Sequence, residues 1–299
     1  MNLPSCLLEI PFSKLSYTLF NKYHSRLIYR NPTMFTILFM FMMIIGFNVT
    51  TTTLRTAFAS WKFVAVGDIE CKSAKKVADA IKKFSNPAVV LLLGDLGYGK
   101  SSKCIKDAFP NGLPTVGNHD NSKDILKEFK IKKAVYSHTV KEVTFLSLNS
   151  DTNVSEQINS VKNLVAQAKT PFIIPFSHLP CVTNPSAHHG EWNDCKSKLV
   201  PILQQSGKTK LYVNGHNHGY QQCHYKGIDF VTSGTGGRKS YSWGNQMDDG
   251  CKNNISGIPG YLEVTVWDSH SMNGRFIDLK EMTDEDTDFS ISTSPFVSH

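Results

Sequence analysis

The 299-residue chain reads as an α/β domain with a mixed sheet. Three observations lead there. Apolar, β-prone runs alternate with amphipathic helical segments through the first two-thirds of the chain. Strands that read as antiparallel follow late in the sequence. A 40% hydrophobic composition with 18 Phe and 10 Tyr supplies apolar surface for a packed core, which excludes a disordered, collagen-like or coiled-coil chain.

The elements follow in order. Lys62–Gly67 is apolar and β-prone, and Ser73–Phe84 carries Val77, Ile81 and Phe84 at helical spacing. Ala88–Leu93 is a buried strand running into Gly94-Asp95, and Leu113–Val116 a short strand running into Gly117-Asn118. Ala134–Val140 and Glu142–Leu148 read as a hairpin. Gln157–Ala168 places Ile158, Val161, Leu164, Val165 and Ala168 on one helical face. Phe172–Phe176 is a strand and Lys196–Gln205 a helix. Lys210–Val213, Gly227–Thr232, Tyr261–Trp267 and Gly274–Asp278 are late strands. The domain is expected over residues 60–280, with a loose acidic tail over 281–299.

Residues 1–59 read as a targeting segment. The apolar run Phe35–Val49 holds about 15 residues, short for a spanning helix of about 20. Arg26 and Arg30 precede it and Ala57-Phe58-Ala59 follows it, the layout of a secretory signal. The chain is therefore expected to be secreted or extracytoplasmic, or anchored at a membrane through residues 35–49 if the segment is uncleaved. This segment holds Lys14, Lys22, Arg26, Arg30 and Arg55 against Glu9 alone, so the overall +7 falls to +3 beyond it. No nucleic-acid-binding face is evident.

Beyond Cys6, six cysteines remain, an even count that fits disulfides in an exported chain. Six cysteines allow fifteen pairings. Pairing between neighbours, Cys71–Cys104, Cys181–Cys195 and Cys223–Cys251, is the expectation.

The chemistry sits at the strand ends. Gly67-Asp68, Gly94-Asp95-Leu96-Gly97-Tyr98, Gly117-Asn118-His119-Asp120, Ser177-His178 and Gly215-His216-Asn217-His218 each follow a strand. Loops beyond the carboxyl ends of strands are where α/β sheets bind ligands. Singly, each has a bland explanation: Gly-Asp is a turn, Asn118 an Asx turn, and a lone His178 a satisfied histidine. Five such ends in succession are not explained by packing. Two cations about 3.5 Å apart need a carboxylate between them. Mixed oxygen and imidazole donors suit Fe, Mn, Zn or Co rather than Ca or Mg alone.

In this order the motifs resemble the calcineurin-like metallophosphoesterase superfamily, and Tyr98 resembles its purple acid phosphatase branch. The resemblance spans about residues 62 to 278 and includes Gly234-Thr235-Gly236-Gly237. It implies a four-layer α/β/β/α sandwich and two divalent or trivalent metal ions (Fe, Mn or Zn). Asp95 would bridge them. Asp68, His218 and Tyr98 would hold the first, and Asn118, His178 and His216 the second. His119 would contact phosphate and protonate the leaving oxygen, with Asp120 orienting it. His188, ten residues after His178, resembles a further substrate histidine, and His189 is an equal chemical candidate.

The implied activity is hydrolysis of a small phosphate monoester by in-line attack of a metal-bound hydroxide. A phosphodiesterase or nucleotidase of the same superfamily is the alternative, and a non-catalytic metal-binding surface protein a third reading. One departure stands out. Glu70 occupies a position where the purple branch has Gly and other branches often have a metal-binding His. It is a metal ligand, a charge narrowing the pocket, or a residue turned away while Cys71 is tied down.

Overall fold

The structure, a computed structural model, describes residues 60–99, 101–184, 190–243 and 250–280 and the strand Phe289–Ser292. The segment expected to target the chain, residues 1–59, lies outside the described residues, as does His188.

Two mixed sheets form the centre. The first contains β1 (Trp61–Val66), β2 (Val89–Leu92) and β3 (Leu113–Pro114) in parallel. On its other side β1 pairs antiparallel with β11 (Gly260–Val266), then β12 (Ser271–Asp278) and β13 (Phe289–Ser292). The last of these falls inside the tail expected to be loose, where Phe-Ser-Ile-Ser alternates as a strand does.

In the second sheet, β5 (Val143–Ser147), β6 (Phe172–Ser177), β7 (Leu211–Asn214) and β9 (Ile228–Ser233) are parallel. Antiparallel β4 (Tyr136–Val140) closes one edge. At the other edge lie β8 (Tyr220–Tyr225) and β10 (Cys251–Ile255).

The strand period of two decides which layer each side chain enters. Phe63 and Ala65 of β1 and Phe172, Ile174 and Phe176 of β6 face the core between the sheets. There Phe63 meets Phe145 edge-on, with ring centroids 5.1 Å apart. Val64 and Val66 face outward onto α1 (Cys71–Phe84), whose Ala74, Val77 and Ile81 form one apolar stripe. The short α2 (Lys103–Ala108) and α3 (Ser122–Glu128) extend that layer through Ile105 and Ile125. On the opposite side α4 (Val154–Gln167), a π-helical turn over Cys195–Leu199 and α5 (Val200–Gln205) cover the second sheet. The result is the expected helix–sheet–sheet–helix layering.

Several elements escape a sequence reading. The helix expected over Lys196–Gln205 begins as a π turn and continues as α5 from Val200, with Pro201, which has no N–H to continue the ladder, in its first turn. Helices α2 and α3 are too short for periodicity to show. A side-chain cap defines the second: Asn121 Oδ1 accepts from the Lys123 N–H at 3.0 Å. Strand β8 buries Gln221 and Gln222 between apolar neighbours, so it has no alternating pattern.

The cysteines pair as neighbours, Cys71–Cys104, Cys181–Cys195 and Cys223–Cys251, with Cα separations of 5.5, 5.2 and 3.8 Å. The first joins the start of α1 to α2. Replacing Cys71 and Cys104 together by serine is expected to lower the unfolding free energy by about 4 kcal/mol, from the loop-closure entropy of a bridge that spans 33 residues. Chemical denaturation of the full chain reads this, and an unchanged midpoint would show that the bridge contributes nothing.

Candidate metal centre

The parallel strands of both sheets deliver their carboxyl ends to one cleft. Asp68 follows β1, Asp95 follows β2, Asn118 follows β3, His178 follows β6 and His216 follows β7. The chain must reverse at once if these side chains are to meet. Asp68 (φ 60°), Asp95 (φ 54°), Tyr98 (φ 51°) and His216 (φ 70°) accordingly all occupy the left-handed region, which non-glycine residues seldom adopt. Such positions cost on the order of 1–3 kcal/mol each and cluster at functional sites.

Glycines clear the space. A Cβ on Gly117 would stand 2.2 Å from Asp95 Oδ1, one on Gly94 2.7 Å from the His178 ring, and one on Gly215 2.9 Å from Asp68 Oδ2. The Gly-Asp and Gly-His pairs at the strand ends therefore serve close approach as well as turning.

Asp68, Asp95 and His178 are buried, and they offer one donor atom each within 4.8 Å of one another. His178 Nδ1 donates to the Leu93 carbonyl at 2.8 Å, because a carbonyl can only accept. Its Nε2 then faces Asn118 Oδ1 at 2.9 Å, His216 Nδ1 at 3.1 Å and Asp95 Oδ1 at 3.3 Å. His218 repeats the device: Nδ1 donates to the Lys239 carbonyl at 2.9 Å. Its Nε2 lies 2.8 Å from the Tyr98 hydroxyl and 3.4 Å from Asp68 Oδ1. Backbone carbonyls so fix both rings with Nε2 turned toward oxygen donors, the arrangement that orients metal-binding histidines. Electron-rich atoms converging in a buried space fit a cation among them.

Electrostatics agree. Burial raises the Asp68 pKa, but hydrogen bonding to His218 and the charges of His178, His218 and His216 outweigh it and hold the carboxyl below its usual range. Burial also works against charging His218, yet Asp68 prevails and raises it. Asp95 is pushed up, by burial first and by repulsion from Asp68. Burial and the carboxylates of Asp68 and Asp95 drive the Tyr98 phenol far above its ordinary value, so it donates to Asp68 Oδ1 at 2.9 Å as a neutral group.

The expected residues thus form two connected groups: Asp68, Tyr98 and His218, and Asn118, His178 and His216, with Asp95 within reach of Asp68 and His178. His119 stands exposed at the rim, its N–H donating to Asp95 Oδ1 at 2.9 Å and its ring 5.4 Å from that of Tyr98. Asp120 departs from expectation. Its oxygens accept from the backbone N–H groups of Leu96 (2.6 Å) and Gly117 (2.8 Å), so it ties the loop after β2 to the loop after β3 rather than orienting His119. Burial pushes its carboxyl up to about 6.

Glu70 is not part of the Asp68, Asp95 and His178 cluster. It pairs with Arg238 and, at 2.6 Å, with Lys72, which hold its pKa low. Sequence reading missed Arg238, whose guanidinium lies 4.0 Å above the Tyr98 ring, and Tyr241, which stacks on His218 at 4.3 Å. Arg238 follows directly on Gly234–Gly237, but no spacing links it to Tyr98.

Gly117→Ala is expected to displace Asp95 and strip the chain of metal on dialysis. Gly190→Ala, where a Cβ meets nothing within 4 Å, is expected to leave metal content unchanged. Elemental analysis of both variants decides the point, and equal metal retention would contradict it.

Comparison with known proteins agrees with this geometry. The fold is similar to that of GAP50, the anchor in the inner membrane complex of Plasmodium (TM-score 0.64, 14% identity, 79% of this chain and 89% of that one). It is also similar to purple acid phosphatase PPD1 from yellow lupin, Lupinus luteus, seeds (TM-score 0.63, 16% identity, 78% of this chain), although this chain spans only 54% of the lupin enzyme. A dimetal phosphatase from Danio rerio is similar over 78% of this chain and 99% of its own length (TM-score 0.55, 10% identity). No curated protein matches the sequence. Residues 62–220 match the calcineurin-like phosphoesterase family, a span that runs from before Asp68 to beyond His218, and the chain belongs to that family.

Proposed function

We propose that the chain is a dinuclear-metal hydrolase of small phosphate monoesters. One observation carries this: Asp68, Asp95 and His178 converge in a buried cluster whose imidazole Nε2 is left facing oxygen donors. Asp68, Tyr98 and His218 would hold one cation, Asn118, His178 and His216 a second, and Asp95 both. Bound there, the cations would supply activated water and neutralise charge on the phosphoryl oxygens. His119, the exposed imidazole at the rim, would bind phosphate and give a proton to the departing oxygen. Asp120 would keep the Asp95 and Asn118 loops in register.

Likeness to an anchor protein, at 14% identity, carries the fold alone. The complete donor set favours hydrolysis over a purely structural role. In the assay, the metal-loaded full chain is expected to hydrolyse an aryl phosphomonoester faster than an aryl phosphodiester, with Asp95→Asn inactive on both. A diester preference would move the assignment to a phosphodiesterase. Metal occupancy without turnover of any phosphate ester would favour a non-catalytic protein.

The division of roles has its own test. His119→Ala is expected to lower kcat about a hundredfold with metal content intact, the low end for a lost general acid. Asn118→Ala and His216→Ala are expected to lose metal. Equal metal loss in all three would refute the division.

We further propose that the chain is exported. Three disulfides fit an oxidising compartment. Among the described residues no helix is long and apolar enough to cross a membrane. Sequencing the mature N-terminus of chain made in a secretory host is expected to find Ser60 first. Recovery of intact chain from the membrane fraction would instead support an anchor.

A further inference from the structure

Two Asn-x-Ser triplets, the acceptor pattern for an asparagine-linked glycan, lie among the described residues: Asn153-Val154-Ser155 and Asn254-Ile255-Ser256. Asn48-Val49-Thr50 is a further triplet of this kind, in the segment outside the described residues. As patterns, Asn153 and Asn254 are equivalent. Their surroundings separate them.

Asn153 is the exposed N-cap residue of α4. Its backbone is extended and its side chain makes no capping bond, so the helix does not claim the amide. Its Nδ2 donates to Glu156 Oε1 at 3.1 Å, an exposed bond for which water is a ready substitute. Ser155, whose hydroxyl completes the triplet, is exposed as well, as are Asp151 and Glu156. The loop leading to Asn153 is anchored by other groups: Trp192 Nε1 donates to the Thr152 carbonyl at 3.0 Å, and the Leu179 N–H to Ser150 Oγ at 2.8 Å. A large hydrophilic substituent on Nδ2 therefore gives up at most one solvent-exposed hydrogen bond.

Asn254 is held on the inside. It lies within β10, close after Cys251, which is bridged to Cys223 of β8. Its Oδ1 accepts from Gln221 Nε2 at 2.7 Å. Gln221 is buried, and its Oε1 accepts in turn from Thr183 Oγ1 at 2.9 Å and the Asn184 N–H at 2.8 Å. Turning the Asn254 amide outward to hold an oligosaccharide breaks this network and leaves the buried Gln221 amide without its acceptor, the costly way to lose a hydrogen bond.

Resting on the export proposed above, we propose that Asn153 is the acceptor of an asparagine-linked glycan and that Asn254 stays unmodified. The donor is an oligosaccharide linked to a polyprenyl diphosphate. The bond from its anomeric carbon to the diphosphate oxygen breaks, and the electron pair leaves with the diphosphate. A bond from Asn153 Nδ2 to the anomeric carbon forms, and Nδ2 gives up one proton.

The test is peptide mass mapping of the full chain made in a glycosylating secretory host. An amidase that releases the glycan converts each modified asparagine to aspartate, so every acceptor is read individually and Asn48 stays apart from the other two. Asn153 is expected to be converted and Asn254 to be unconverted. Asn153→Gln and Ser155→Ala are each expected to lose that glycan, the second with the Asn153 amide still in place, and thermal unfolding checks that both variants are folded. Secreted or lumenal chain with Asn153 unconverted overturns the site and leaves export standing. Conversion of Asn254 to the same extent as Asn153 overturns the selection between them. A glycan on residue 153 that persists in folded Ser155→Ala overturns the triplet as its cause. Chain found only in the cytosol, with free thiols, overturns export and the site together.

Discussion

Asp68 and Asp95 are two carboxylates buried in the same cleft, and their mutual repulsion is the constraint that the domain is built around. Burying like charges is strongly unfavourable unless positive charge or donors surround them. The fold supplies part of this. His178 and His218 approach the carboxylates, the His216 and His119 backbone N–H groups donate to them, and Tyr98 adds its hydroxyl. These groups come from four separate loops, after β2, β3, β6 and β7. Two facing sheets, each ending its parallel strands at the same cleft, bring them together. A single sheet would present only part of this set, since Tyr98 and His119 follow strands of the first sheet and His178, His216 and His218 strands of the second.

Holding the donors so close strains the backbone. Four of the cleft residues lie in the left-handed region, and the glycines beside them are packed against the very side chains they expose. This strain persists because the strands that carry it are clamped between three apolar layers. The core between the sheets, rich in phenylalanine, fixes where β1, β2, β6 and β7 end, and therefore where the cleft residues begin. Burial of this apolar surface is the dominant favourable contribution to folding, and it offsets the local penalties at the cleft.

Around the donors lies a supporting ring. Asp120 joins the Leu96 and Gly117 backbones. Arg238, held by Glu70, lies over the Tyr98 ring, and Tyr241 stacks on His218. The Cys71–Cys104 bridge ties down the helix that starts immediately after Glu70. These contacts restrict the rotamers of the residues that face the cleft. They also account for Glu70: its carboxylate is paired with Lys72 and Arg238, and Arg238 in turn lies over the Tyr98 ring.

The sequence by itself determined the α/β layering and marked the residues that converge at the cleft, and it made neighbour pairing of the cysteines the expectation that the structure bears out. Strand ends in α/β proteins converge, so Asp68, Asp95, Asn118, His178 and His216 were legible from local pattern and order alone. The Gly-Asp and Gly-His steps announced sharp turns because left-handed geometry and close approach have a local residue signature. Only the tertiary structure decided what lies behind those residues. Glu70 meets Arg238 across 168 positions, Asp120 bonds to Leu96 across 24, and Tyr241 stacks on His218 across a loop. Strand β8 buries two glutamines between β9 and the edge strand β10, and α2 and α3, of six and seven residues, are too short for a helical repeat to show. Such contacts depend on where distant backbone segments are placed, and that placement follows from the packing of the whole core, which no local window of sequence contains.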